Sequence, residues 1–214
     1  MFHMSRSFLA LMSTGTRDLT QEVATSPSRG EVFSDGHNRI VSVRLSIEDF
    51  LAVEDDRMKA LIDFYRDHCS DGQAPMASAI TPEKLFATGM LRRTHCLHIR
   101  HPENRIQFAV WAEGANFDGF RSMQNARLED LANYGVIQQA LRKQLDEVMA
   151  HGQPCFYEVR GLQNDYYYYF TKAILPLRSE EGQIVKCLVP FTDKLPEIAP
   201  DLREELCLAD IDEK

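Results

Sequence analysis

Four consecutive tyrosines and a phenylalanine, Tyr166 to Phe170, open a run that stays largely apolar to Leu177. Aromatic residues at this density favour extended backbone. A strand that is apolar on both faces must lie centrally in a sheet that is covered on both sides. Two further runs flank it. Cys155 to Arg160 is short, and Gln183 to Pro190 is rich in β-branched and aliphatic residues. Glu180-Glu181-Gly182-Gln183 joins the aromatic run to Gln183–Pro190 as a turn, so the region reads as a three-strand antiparallel meander.

A second period-two region lies upstream. Thr94 to Arg100 alternates and ends at His101-Pro102-Glu103-Asn104, a turn-like cluster. Arg105 to Trp111 alternates again, with Ile106, Phe108 and Val110 on one face, which predicts a hairpin. Between hairpin and meander, Ile137, Leu141, Leu145 and Val148 step by four and three, predicting a helix over Val136–Ala150 that stops at His151-Gly152. Before the hairpin, Ser46 and Thr81-Pro82 are helix starts, and Met58, Leu61, Ile62 and Tyr65 mark one apolar helix face. Five antiparallel strands are therefore expected. The helices between the second and third cover one face, and the N-terminal helices cover the other, an α+β architecture. The expected divisions are a flexible tail over 1–38, a helical segment over 39–92, the sheet core over 93–192 and an acidic tail over 193–214.

Charge and cysteine content narrow the function classes. The 214 residues carry 24 Lys+Arg against 32 Asp+Glu, a net charge of -8, which disfavours general nucleic-acid binding. Glu197 to Lys214 alone holds seven acids and two bases. Five cysteines at wide spacing, without C-x-x-C, predict free thiols in a reducing compartment. The apolar run Phe8 to Met12 is shorter than a signal peptide's core, and no stretch reaches membrane-span length. The expectation is a cytoplasmic protein with no membrane partner.

The order of elements resembles the PAS family, and more narrowly its single-PAS members common in alphaproteobacteria. The residues that carry the likeness are Met58 to Tyr65, Ile80-Thr81-Pro82-Glu83-Lys84-Leu85, Leu97-His98-Ile99 and Arg105-Ile106-Gln107-Phe108. To these are added Val148-Met149-Ala150-His151-Gly152-Gln153-Pro154, Ile174-Leu175-Pro176-Leu177 and Glu181-Gly182-Gln183-Ile184-Val185. The likeness spans about Leu51 to Thr192. Trp111-Ala112-Glu113-Gly114 stands where members have a Gly-centred segment in the context of an arginine-bearing strand. The resemblance implies a sensory or interaction module that holds a small ligand between sheet and helices, dimerises, and meets a signalling partner.

Site candidates follow from these placements. Phe108, Val110, Trp111, Tyr134, Tyr167 and Tyr169 are the expected lining of a small-molecule pocket, with Arg121 gripping an anionic group. Met58, Leu61, Ile62, Phe64 and Tyr65 are the expected homodimer surface, because they make the helix apolar over more than one stripe. In His95-Cys96-Leu97-His98, strand alternation sends His95 and His98 to opposite faces, which argues against a shared metal. A lone histidine, His98 or His151, does not by itself specify haem. No catalytic motif or convergent nucleophile and base is present, so a non-enzymatic sensor is expected, ahead of a ligand-free adaptor with a filled core and of a small enzyme.

Overall fold

A computed structural model describes residues 30–35, 38–110, 112, 124–130, 135–163 and 166–193, with the side chains of 162, 163, 166–168 and 193 excepted. In chain order the elements are β1 (Glu31–Ser34), β2 (Arg39–Leu45), α1 (Ile47–Val53), α2 (Asp56–Asp67), α3 (Pro82–Ala87), β3 (Thr94–Arg100) and β4 (Arg105–Val110). Then come α4 (Gly135–His151), β5 (Cys155–Gln163), β6 (Tyr166–Arg178) and β7 (Ile184–Asp193). The strands form one antiparallel sheet in the spatial order β1-β2-β5-β6-β7-β3-β4.

The expected hairpin and meander are both present. β6 pairs with β5 from Cys155↔Ile174 to Gln163↔Tyr166 and with β7 on its other side, so the aromatic run is central. The Glu180–Gln183 turn closes with Ser179 N–H donating to Gln183 O at 2.8 Å, and Gly182 takes φ +85°, which glycine adopts without a side-chain penalty. The hairpin joins the meander through β3 and β7. α1, α2 and α3 are capped at Ser46, Asp55 and Thr81, whose side chains accept first-turn amides.

Two strands exceed the five expected. β1 falls inside the segment expected as tail, and β2 falls inside the segment expected as helical. Arg39-Ile40-Val41-Ser42-Val43-Arg44-Leu45 is β-branched at three of seven positions. It pairs along β5, which would otherwise present an open edge. α4 then ties down this addition. Gln144 Nε2 donates to Ser42 Oγ at 2.7 Å in a buried contact, and Lys143 pairs with Glu31 at 2.8 Å. Arg44 and Tyr157 both meet the Glu147 carboxylate. Gly161 permits the closest approach of β2 to β5. A Cβ there would sit 2.8 Å from the Arg39 carbonyl oxygen and 2.8 Å from Ile40 Cγ1. Gly161→Ala is therefore expected to cost about 1–3 kcal/mol by overpacking, measured by urea unfolding. Unchanged stability would mean that β2 does not lie here.

Each face of the sheet has its own core. On one, α4 supplies Val136, Leu141, Leu145 and Val148 against Leu97, Ile99, Ile106, Phe108, Val159, Ile174 and Val189. On the other, Phe50, Met58, Leu61, Ile62, Tyr65 and Leu85 pack on Phe156, Ala173, Leu175, Leu177 and Leu188. This second core corrects the choice of these residues as a dimer surface. Met58, Leu61, Ile62 and Tyr65 are all within 2% of complete burial against their own sheet, and the Tyr65 hydroxyl donates to Pro176 O at 2.9 Å. Phe64 is partly buried in the same cluster. The surface that suggested a homodimer is spent inside one chain. Cys69, Cys96, Cys155 and Cys187 are free thiols, and Cys207 lies outside the described residues.

Candidate functional site

Alternation along the strands brings one set of polar and aromatic side chains to the α4 side of the sheet. Ile174 of β6 and Val189 of β7 face α4. By period two, so do Phe170 and Lys172 of β6 and Phe191 of β7. Leu97 and Ile99 of β3 face the same way, which places His95 beside them. Lys172 is directly opposite Phe191 across the β6–β7 pair and opposite Tyr157 across β5–β6. The His95 ring stacks on Phe191 at a centroid separation of 5.2 Å and meets the edge of Phe108 at 5.8 Å. Ala112 and Phe191 form a small buried cluster there with Phe170 against it.

The electrostatics follow from this enclosure. The Ala112 amide donates to His95 Nδ1 at 3.1 Å, so that nitrogen carries a lone pair and the neutral ring holds its proton on Nε2. Burial first, and then the Lys172 charge, push the His95 pKa down to about 3. Lys172 is 7% exposed, and burial lowers its pKa from the ordinary 10.5 to about 7. Among the described residues the Lys172 amine has no carboxylate partner within ion-pair distance. A buried lysine of this kind costs stability unless something balances its charge. The arrangement offers one ammonium group, able to hold an anionic group or to act as a neutral amine near pH 7, in a wall of aromatic rings. Sequence reasoning passed over Lys172, although a lone lysine between Thr171 and Ala173 in an apolar strand is a readable signal.

The expected lining is only partly gathered. Phe108 lies in the cluster, 1% exposed. Val110, by contrast, is 39% exposed at the end of β4. Tyr169 is on the opposite side of the sheet from Lys172, since their positions differ by an odd number. Its hydroxyl donates to Glu158 at 3.1 Å, and Arg160 lies over its ring at 5.5 Å. It belongs to a surface network, which corrects its assignment to the pocket. Trp111, Arg121 and Tyr134 lie outside the described residues, as does the side chain of Tyr167.

The histidines diverge as alternation requires. His98 faces away from His95, with its pKa lowered by burial and then by Lys186 and Arg100. His151 is exposed at the end of α4. Among the described residues no three His, Cys, Asp or Glu side chains lie close enough to share a metal ion, and no helix is long and apolar enough to cross a membrane. No protein-family model matches the chain, nor does any curated protein or solved structure.

Proposed function

We propose that the chain is a PAS-like sensory or regulatory module, acting in the cytoplasm through a small ligand or a signalling partner. The order hairpin, connecting helix, three-strand meander supports this reading, as does a sheet covered on both faces. One observation carries the ligand. Lys172 is buried without a carboxylate partner among the described residues, on the sheet face where the resemblance implies a bound small molecule. The ligand is then a small molecule with an apolar body and one anionic group, since pairing with Lys172 offsets its desolvation.

A second reading has its own support. His95 is held by contacts to Phe191 and Phe108, which is how a filled core packs, and this favours an adaptor that acts by surface contacts alone. Native mass spectrometry of the purified chain separates the two. The sensor reading expects a stoichiometric adduct of a few hundred daltons, of the order of a small-ligand site. That adduct is expected to be absent from the Lys172→Met variant. If the parent chain carries no adduct and native-mass titration with extracted cell metabolites adds none, the adaptor reading stands.

A further inference from the structure

The opposite face of the sheet, at the turn end of the β3–β4 hairpin, concentrates positive charge in a chain whose net charge is -8. Arg100 and Arg105 are directly opposite each other across the hairpin, a placement that costs stability for like charges. The segment after β4 returns along its edge, with Phe108 N–H donating to Ala126 O and Asn125 N–H donating to Phe108 O. A backbone bridge between Gln107 and Arg127 brings a third arginine beside the same strand. These residues, with Ile106 and Gln107, line a cavity of about 180 Å3. In the adjoining register, His98 sits opposite Gln107 on one side and Lys186 on the other. Burial first, and then the Lys186 and Arg100 charges, lower the His98 pKa.

Acidic groups offset only one of the three arginines. Glu103 pairs with Arg105 at 2.5 Å, with both side chains more than half exposed. Asp130 accepts the backbone amide of Arg127 at 2.9 Å, and Glu129 turns to Arg142. Among the described residues the guanidinium groups of Arg100 and Arg127 have no carboxylate within ion-pair distance.

We propose that Arg100, Arg105 and Arg127 form a binding site for a small phosphate-bearing ligand, seated in this cavity. A single carboxylate presents two coplanar oxygens and one charge, which one guanidinium fork satisfies. Three arginines lining one small space, only one of them paired with a carboxylate, match a dianionic group with several terminal oxygens, and arginine is suited to that geometry. The cavity is below the roughly 300–1,000 Å3 of drug-sized ligand sites, so it takes the phosphate itself and leaves any attached group outside. The site is on the sheet face away from Lys172, and it stands whether or not the interior holds a ligand.

Calorimetric titration with inorganic phosphate and, separately, glycerol phosphate tests this, with acetate at matched ionic strength as the control. Saturable binding of one phosphate or one phosphomonoester per chain is expected, with the tighter of the two identifying the source. Arg100→Gln and Arg127→Gln are each expected to weaken it at least tenfold. Arg127→Lys, which keeps the charge but loses the fork, is expected to weaken it severalfold while circular dichroism stays unchanged. Arg66→Gln, on α2, removes the same charge elsewhere and is expected to leave affinity within twofold. No saturable heat with either phosphate, acetate binding as tightly, or an equal loss in Arg66→Gln would each overturn the proposal.

Discussion

Replacing Lys172 with methionine is expected to make the chain more stable at pH 7, by on the order of 3–5 kcal/mol. The buried amine releases its proton near pH 7 instead of 10.5. Between those values the unfolded chain binds more protons than the folded one, so this group makes stability rise with pH. The penalty is complete at and below about pH 7 and has gone above about pH 10.5. Methionine has a similar stem and no charge, so the variant lacks the penalty at every pH. The advantage of Lys172→Met is therefore greatest at pH 7 and shrinks toward pH 10. Tyr65 and Cys187, whose pKa values burial raises, also titrate in alkali, but they do so in both proteins and drop out of the difference. Urea unfolding at several pH values measures it. A variant less stable than the parent at pH 7, or a difference that does not change with pH, would show that Lys172 is not buried as described. A ligand that pairs with Lys172 would reverse the ordering when present, so ligand-free protein is the proper reference.

The second large effect concerns α2. Leu61 is fully buried between that helix and the sheet. Leu61→Ala is expected to cost about 2–5 kcal/mol, the range for a buried leucine that leaves a cavity. The sedimentation behaviour at a given concentration should stay that of the parent chain. The alternative, α2 as a contact between two copies, expects a change in sedimentation with the stability of the single chain preserved. Analytical ultracentrifugation beside denaturant unfolding distinguishes them, and dissociation of a parent dimer into stable monomers would restore α2 as an interface.

Local information was enough for most of the elements. The hairpin β3, predicted at Thr94–Arg100, has those bounds. α4 is longer than expected by one residue at each end, and β6 by one residue at its C-terminal end. These segments are legible because alternation, helical spacing and end signals agree with one another, and none of them depends on distant contacts. The central place of β6 was legible too, since only a strand covered on both sides tolerates aromatics at every position.

What the sequence could not determine is which surface each element meets. The apolar face of α2 is the same whether a second chain or its own sheet covers it, and only the packing of Leu175, Leu177 and Leu188 against it decides. β2 lies before the recognisable hairpin, and it is a strand because β5 offers it an unpaired edge more than a hundred residues later. The site divides the same way. Phe108 could be placed from its own alternation. Tyr169 was put on the wrong face because a run of tyrosines carries no phase of its own, and the phase came from Ile174 and Leu175 packing on opposite cores. Lys172 and the three arginines draw their meaning from neighbours on other strands, because burial and charge crowding are properties of the assembled sheet and not of any one segment.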